Sequence, residues 1–368
     1  MPGRAAGRRT RRHRGAGSSA PPSSGPPSRR PGGGRPGCER AGRPDGLRAA
    51  AVTRGGSARV RVPAGLRALP DREPSWEPWL DRLPRLSADL LDEWDLEPDG
   101  EPGHGQCSLV LPVVVRRTGT PAALKVGWPH EESRHEHLAL QHWHGAGAVE
   151  LLRADPHRDA LLLERAGPTD LGALDDVAAC EAVAALYPVL HRPALPQLRA
   201  LSAAVGSWGR RLHDLPRSAP VPRRLVEQAA GLARDLAADP ATDGTLVHGD
   251  LHGQNVLASL RPSGPRWLAI DPKPLSGDPH AEPVPLLWNR WDEVVASGDV
   301  RRAVLRRLDA VVDAAALDRD RARAWAVVRS TVNALWCIEA VQQRGEALDA
   351  GAQEWITRAV TIAKAVRD

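Results

Sequence analysis

A chain of 368 residues, 42% hydrophobic and 26% charged, is long enough for one large domain or two lobes and has the composition of a soluble globular protein. Its four cysteines lie far apart, so we expect a protein of the reducing cytoplasm that has neither disulfides nor a cysteine-bound metal. No apolar run is long enough to cross a bilayer, so we expect no membrane-spanning segment. The net charge of the chain is +5, but residues 1–60, with 14 arginines and two acids, alone carry +12. The remaining residues therefore carry −7, a charge that suits a cationic partner better than a nucleic acid.

Residues 1–60 are rich in Arg, Gly, Pro and Ser and have no apolar periodicity, which predicts a disordered, basic, low-complexity tail. The tail lacks the apolar segment of a secretory signal. It can be a basic tethering arm or a dispensable extension, and we favour the second because it contains no hydrophobic anchors. None of the 12 tryptophans precedes residue 76, so base stacking by the tail is not expected.

The next part of the chain, residues 61–166, combines helical and strand patterns and predicts a small antiparallel-sheet lobe. Its predicted helices cover residues 76–94 and 131–144, and its predicted strands cover residues 108–115, 122–127, 149–153 and 160–165. Gly119 and Pro121 mark the turn between the first two strands, and Pro129 precedes the second helix.

Residues 167–368 predict a larger, mostly helical lobe with a short β interruption at residues 246–270. The predicted helices cover residues 175–190, 198–215, 223–238, 284–296, 300–316, 321–344 and 354–366. The predicted fold class is therefore α+β, with the sheet lobe preceding the helical lobe.

Oxygen ligands stand at the ends of two short strands in the β interruption. Asp250 and Asn255 follow strand 245–247, and Asp271 ends strand 267–270. A carboxylate and an amide oxygen from adjacent strand ends suit Mg²⁺, which prefers oxygen ligands. Asp250 is then free to accept the proton of a substrate hydroxyl, as phosphoryl transfer requires. Each residue taken singly is as typical of an ordinary turn.

The joint pattern is more specific. His-Gly-Asp-Leu-His-x-x-Asn at residues 248–255, followed after an apolar strand by Asp271, resembles the catalytic loop and metal-binding aspartate of the protein-kinase-like phosphotransferases. This resemblance implies that Asp250 is the catalytic base and that Asn255 and Asp271 bind the metal. Gly249 stands where protein kinases have Arg, which points away from protein substrates.

The segment that follows narrows the resemblance. Asp271-Pro272-Lys273 stands where protein kinases have Asp-Phe-Gly, and residues 267–279 resemble the aminoglycoside/hydroxyurea phosphotransferase family, which includes streptomycin 6-kinases. The resemblance spans residues 61–368 and implies a two-lobed protein-kinase-like fold that uses ATP and Mg²⁺.

The predicted sheet lobe carries a candidate phosphate-binding lysine. Only three lysines occur in the chain, and arginine takes their usual place on surfaces. The rarity of lysine therefore favours Lys125 as a functional cation over Lys125 as a surface residue. The resemblance implies that Glu136, eleven residues later, pairs with Lys125 and directs it at the phosphates. Glu131 and Glu132 are nearby alternatives, and the choice of Glu136 depends on the resemblance.

Two further segments are candidates for nucleotide binding. Gly103, Gly105 and Ser108 precede the first strand, as a loop that covers a nucleotide would, although two glycines are also typical of a plain turn. Glu164 ends the strand predicted to lie at the edge of the sheet, where backbone groups would meet the adenine. The alternative there is an ordinary buried strand.

Lys273 has two possible roles. It can offset charge on the transferring phosphate as a catalytic residue, or it can pair structurally with Asp278 or Asp250. His248 and His252 are more consistent with hydrogen bonds that orient the loop than with metal binding, because a third ligand is missing.

The acceptor site is predicted around residues 288–293 of the helical lobe. Asp278, Asp292 and Glu293 can receive cationic groups of a sugar, and Trp288 can form a stacking wall. The alternative is an amphipathic helix whose tryptophan is core and whose acids stabilise the first turn.

We therefore predict an ATP- and Mg²⁺-dependent phosphotransferase that phosphorylates an alcohol group of a small cationic molecule. An aminoglycoside such as streptomycin is the first candidate, with antibiotic inactivation as the result. The alternative acceptor is hydroxyurea or another secondary metabolite, because the phosphate-transfer groups do not depend on the acceptor. A non-catalytic nucleotide-binding regulator is less consistent with the complete Lys, Asp, Asn and Asp set. Neither nucleic acid nor membrane is an expected partner, and the sequence leaves the oligomeric state open.

Overall fold

The computed structural model describes residues 60–69 and 75–367. The predicted basic tail, residues 1–60, lies outside these residues except for Val60, so its disorder stays a prediction. Within the two described ranges, no helix has both the length and the apolarity to cross a membrane.

The described residues alternate between short strands and longer helices. The strands are β1 Leu96–Pro98, β2 Gly103–His104, β3 Ser108–Val115, β4 Thr120–Gly127, β5 Leu151–Asp155, β6 Ala160–Glu164, β7 Arg192–Pro193, β8 Thr245–Val247, β9 Val256–Ala258, β10 Trp267–Ala269 and β11 Leu275–Gly277. The helices are α1 Ala64–Arg67, α2 Trp76–Glu93, α3 Glu136–Trp143, α4 Asp176–Ala184, α5 Tyr187–Leu190, α6 Leu201–Asp214, α7 Arg223–Ala238, α8 Val284–Trp288, α9 Trp291–Ala296, α10 Val300–Ala314, α11 Arg319–Gln343 and α12 Ala350–Ala365.

The first lobe is built on an antiparallel sheet with the order β1-β3-β4-β6-β5, and β2 pairs with β3. The central strand β4 carries Lys125, which lies opposite Val110 of β3 and Leu161 of β6. Trp76 and Trp79 of α2 are buried in the core beneath this sheet. The sheet lobe thus presents Lys125 from a strand that is paired on both sides, and the predicted α+β class with a sheet lobe before a helical lobe is confirmed.

The prediction that β6 is an edge strand is wrong. β6 pairs with β4 on one side and β5 on the other, and β5 forms the edge. Residues 160–163 are all buried, and such a continuous apolar run fits an inner strand.

The helix predicted over residues 175–190 is divided into α4 and α5. Two other predicted helices also differ clearly from the structure. The helix predicted from residue 131 begins only at Glu136, because the Ser133 hydroxyl donates to the His130 carbonyl oxygen at 3.1 Å and stabilises a turn instead. The helix predicted over residues 284–296 is broken into α8 and α9, with Asn289 extended and Arg290 left-handed at φ 49°. The boundary between the lobes at residues 166 and 167 stays a prediction.

Short strands of the second lobe position the candidate site. β9 and β10 form a hairpin in which Val256 lies opposite Ala269, and β8 pairs with β11 and β7. The loop between β8 and β9 therefore lies next to the segment that follows β10. Helices α6, α7, α10, α11 and α12 pack around a large apolar core beneath them.

Candidate active site

The hairpin of β9 and β10 brings Asn255 beside Asp271, as the strand-end pattern predicted. The Ile270 amide donates to the Asn255 carbonyl oxygen at 2.9 Å. The Asn255 side-chain nitrogen donates to the Asp250 carbonyl oxygen at 2.9 Å, which leaves Oδ1 of Asn255 as its cation-binding atom. Asp271 follows Ile270 in a left-handed conformation, with φ 57°. Two oxygen donors of the type that Mg²⁺ prefers therefore stand at adjacent strand ends.

Glu282 binds the start of the loop of residues 248–255 through its buried carboxylate. Its carboxylate accepts the backbone amides of His248 at 3.1 Å and Gly249 at 2.8 Å. Burial raises the pKa of Glu282, but the His191 ring, whose Nε2 lies 3.6 Å from Glu282 Oε2, and the hydrogen bond from the Gly249 amide outweigh burial and lower the pKa. Sequence reasoning missed Glu282, since no motif marks it and only the fold brings it under a loop 33 residues earlier.

Gly249 is required where protein kinases have Arg. Its φ is +81°, and a Cβ at this position would lie 2.3 Å from the carbonyl oxygen of Lys273. Lys273 in turn donates its backbone amide to the His248 carbonyl oxygen at 2.8 Å. This close contact between two backbone segments is possible only without a side chain.

The two histidines of the loop make local hydrogen bonds. His248 Nε2 lies 3.0 Å from the Ile270 carbonyl oxygen, and His252 Nδ1 accepts the Gln254 amide at 3.3 Å. Burial lowers the pKa of both rings, so both are neutral near pH 7. In the described part of the chain, no three His, Cys, Asp or Glu side chains are grouped to hold a metal.

Lys125 joins the sheet lobe to the segment after β10. Its Nζ donates to both carboxylate oxygens of Glu136 at 2.7 Å and to Asp271 Oδ1 at 2.5 Å. Burial lowers the pKa of this ammonium, but attraction to Asp271 and Glu136 outweighs burial and raises the pKa above its usual value. Glu131 and Glu132 are exposed on the turn before α3. The structure therefore places Glu136 beside Lys125, as the resemblance implied.

Lys273 pairs with Asp250, one of the two alternatives for a structural partner. Its Nζ donates to Asp250 Oδ2 and lies 3.9 Å from Asp271 Oδ2. Burial raises the pKa of Asp250, but the charge of Lys273 and the hydrogen bond from its ammonium outweigh burial and lower the pKa. Asp250 is therefore ionised near neutral pH, which is the form that can accept a proton.

The loop before the first long strand is a tight hairpin between β2 and β3. Gly103 pairs with Val110, and the Gly105 amide donates to the Ser108 carbonyl oxygen at 2.9 Å. Ser108 lines a cavity whose wall also contains Lys125, Asp271 and Lys273. Gly103 and Gly105 shape the hairpin, while Ser108 at its end contributes to the wall of this cavity.

The side chain of Glu164 is not available to a nucleotide. Arg261 donates to its carboxylate through Nε at 2.6 Å and a terminal nitrogen at 2.5 Å, and the Glu150 amide donates to it at 3.0 Å. The carboxylate of Glu164 ties β6 to the loop after β9, and the contact of the backbone at Glu164 with adenine stays a prediction.

The acceptor residues predicted from the sequence divide into two groups. Asp278 is only 1% exposed and accepts hydrogen bonds from Arg321 Nε and Trp325 Nε1, both at 2.6 Å, and Trp288 belongs to the core of the helical lobe. Neither is open to an acceptor, and both assignments are corrected: a charge pattern cannot distinguish a buried, paired acid from an open one. Glu293 is exposed but paired with Arg290, and Asp292 is exposed.

Comparisons with known proteins agree with this geometry. A sequence model of the aminoglycoside/hydroxyurea antibiotic resistance kinase family matches residues 93–340. A streptomycin 6-kinase of Streptomyces glaucescens is 40% identical over 297 residues, 78% of this chain and 91% of that protein. A hydroxyurea phosphotransferase of Kitasatospora aureofaciens is 40% identical over 273 residues, 71% of this chain and 75% of that protein.

Solved structures show the same fold. The choline kinase LicA from Streptococcus pneumoniae has a TM-score of 0.51 at 15% identity and covers 78% of this chain and 98% of its own. A thermostable mutant of aminoglycoside phosphotransferase APH(4)-Ia, in a ternary complex with AMP-PNP and hygromycin B, has a TM-score of 0.50 at 17% identity and covers 77% and 98%. The two-lobed kinase-like fold is confirmed, and the chain belongs to the aminoglycoside/hydroxyurea antibiotic resistance kinase family.

Proposed function

We propose that this kinase transfers the γ-phosphoryl group of ATP to a hydroxyl group of an aminoglycoside of the streptomycin type. The observation that carries the proposal is a continuous set of alternating charges between the lobes. Lys125 contacts Asp271 at 2.5 Å, Lys273 contacts Asp250, and Lys273 lies 3.9 Å from Asp271. Phosphoryl transfer needs this combination of cations for phosphates, an oxygen ligand for metal and a base for the hydroxyl.

Each of these residues has a role that its contacts support. Lys125, directed by Glu136, binds oxygens of the polyphosphate. Asp250 orients the acceptor hydroxyl and takes its proton, and the Glu282 carboxylate beneath the loop keeps Asp250 in place. Lys273 releases Asp250 to the hydroxyl and offsets negative charge on the transferring group.

The Asn255 and Asp271 oxygens fit Mg²⁺ by their chemistry, and we assign the metal to them. When bound, Mg²⁺ neutralises charge on the phosphate oxygens. Asp271 is suited to this role because burial raises its pKa but Lys125 and Lys273 outweigh burial and lower it, so the carboxylate is ionised.

The acceptor is proposed from the relatives and from charge. The relatives include two streptomycin 6-kinases, 40% and 38% identical, and the chain after residue 60 carries a net charge of −7, which favours a cationic molecule. Hydroxyurea is the second candidate because a hydroxyurea phosphotransferase is 40% identical. Among the described residues, Cys107, Cys180 and Cys337 form no disulfide, which is consistent with our proposal of a cytoplasmic enzyme.

An acceptor panel tests the proposal. ADP release is measured with MgATP and, in separate reactions, streptomycin, other aminoglycosides and hydroxyurea. We expect release that depends on streptomycin and a phosphorylated product detectable by mass spectrometry. Release with hydroxyurea alone would move the assignment to the second candidate, and no acceptor-dependent release across the panel would contradict an aminoglycoside kinase.

A further inference from the structure

The break between α8 and α9 brings one polar side chain to the loop that carries Asp250. Asn289 is extended and Arg290 is left-handed, so the chain leaves the helix at these two residues. A Cβ at Gly253 of the loop would lie 3.3 Å from Asn289 Oδ1, which puts the amide directly against the loop. Gly253 is three residues from the proposed base.

A buried arginine holds this break open. Arg307 of α10 is 1% exposed and donates to the carbonyl oxygens of Leu286 at 3.2 Å, Asn289, and Arg290 at 3.3 Å. These are carbonyl groups that lose helical partners where the helix ends. Asp176 of α4 neutralises the guanidinium at 2.7 Å. Burying a charge is costly unless it is paired and hydrogen-bonded, so a specific conformation of residues 286–290 is maintained here.

Of residues 288–290, Asn289 has the side chain that is not used by the core or by an ion pair. Trp288 belongs to the core, and the Arg290 guanidinium donates to Glu293 and to the Leu174 carbonyl oxygen. Asn289 is 6% exposed, yet its side-chain amide makes no hydrogen bond within residues 60–69 and 75–367, and neither amide atom is fully enclosed. Asn333 of α11 is also buried without a hydrogen bond to any described residue, so what distinguishes Asn289 is that its amide oxygen lies against Gly253 of the loop that carries Asp250. An amide with partly accessible atoms at this position can bind a ligand group that reaches the loop.

We propose that Asn289 binds the acceptor. Its amide hydrogen-bonds a polar group next to the reacting hydroxyl and so fixes which hydroxyl reaches Asp250. A carboxamide both donates and accepts, and it therefore suits a neutral hydroxyl of a polyhydroxylated ring better than a phosphate. The inference rests on the proposed function, since it needs an acceptor that is phosphorylated.

The experiment compares wild type with Asn289→Ala and Asn289→Leu. Leucine has nearly the shape of asparagine and protects the fold if alanine does not. Asn333→Leu is the matched control, because Asn333 is a buried asparagine of α11, 8% exposed. For each protein we measure KM for streptomycin or hydroxyurea, KM for ATP, kcat, and the thermal midpoint.

We expect both Asn289 variants to raise KM for the acceptor about tenfold while KM for ATP stays within about twofold. The Asn333 variant should leave the acceptor KM unchanged. An unchanged acceptor KM in a folded Asn289 variant would overturn the inference alone, as would equal losses for ATP and acceptor. Wild type that phosphorylates no acceptor would overturn the proposed function, and this inference with it.

Discussion

The ammonium of Lys273 donates a hydrogen bond to the carboxylate of Asp250, which joins the segment after β10 to the catalytic loop. The same ammonium lies 3.9 Å from Asp271, so one lysine faces both the proposed base and a proposed metal ligand. A lysine so placed can hold Asp250 ionised before substrates bind and can face the phosphate afterwards.

Replacing Lys273 should change both rate and pH dependence. Burial raises the pKa of Asp250, and the charge of Lys273 and the hydrogen bond from its ammonium lower it below the usual aspartate value. Because the ionised form is the base, activity falls as the pH falls through this lowered pKa. Lys273→Met removes the main opposing charge, so the acid limb of kcat/KM should move to higher pH, and kcat should fall about 100-fold.

The matched control for Lys273 is Lys364→Met, an exposed lysine of α12, which should leave the profile unchanged. The measurement is kcat/KM for the acceptor between about pH 3 and pH 8, a range that extends below the usual aspartate pKa of about 3.9. An acid limb that stays in place or moves to lower pH in Lys273→Met would refute the coupling.

Replacing Glu136 should weaken nucleotide binding selectively. Glu136→Gln removes the carboxylate that holds Lys125 at 2.7 Å, and the ammonium is then left to Asp271. We expect KM for ATP to rise about tenfold, because a charge-assisted hydrogen bond is lost, with little change in KM for the acceptor. Glu131→Gln, on the exposed turn before α3, should behave as wild type; the opposite ranking would reassign the partner of Lys125.

Gly249→Ala should damage both stability and activity. The φ of +81° and the 2.3 Å approach of a Cβ to the Lys273 carbonyl oxygen force the two segments apart, at a cost of about 2–3 kcal/mol. Gly231→Ala is a matched control within α7, where a Cβ meets no atom within 4 Å, and it should raise stability by about 1 kcal/mol. Denaturant unfolding measures both, and equal stabilities for the two variants would contradict this role of Gly249.

Asp278→Ala should lower stability instead of acceptor affinity. The carboxylate is 1% exposed and accepts from Arg321 and Trp325, so its loss should cost about 3 kcal/mol. Burial raises the pKa of Asp278, but hydrogen bonds from His280, Trp325 and Arg321 lower it overall. Its contribution is therefore present above the unfolded pKa and lost as the pH falls through the folded one.

Asp292 provides the contrast for Asp278. It is exposed, so Asp292→Asn should be neutral for stability, and an increase in acceptor KM would support its place in the acceptor site. Thermal midpoints at pH 7 separate the two variants, and the difference between wild type and Asp278→Ala should narrow below about pH 3.9, the usual aspartate pKa. A stable Asp278→Ala protein with a raised acceptor KM would restore Asp278 to the acceptor site.

Local patterns predicted the groups that lie on short contiguous segments. Asp250, Asn255 and Asp271 were found because neighbouring strand ends in sequence became neighbours in the hairpin. Lys125 was found because lysine is rare in the chain and because this lysine stands in a predicted strand. These features need no knowledge of distant contacts.

The features that the sequence did not reveal depend on distant partners. Glu282 binds a loop 33 residues earlier, and Arg307 breaks a helix 17 or more residues earlier. Asp278 looked like an open acid, but Arg321, 43 residues later, covers it. Such contacts are set by tertiary packing, which overrides local helical and charge patterns.

The role of Asp250 as base is tested most directly by Asp250→Asn, which keeps the shape and removes the negative charge. The measurement is kcat for phosphate transfer to the acceptor, together with the Kd for MgATP from a binding titration. We predict that kcat falls by about 100- to 10,000-fold while Kd for MgATP stays within about threefold. A folded Asp250→Asn protein that keeps the wild-type kcat would contradict the account.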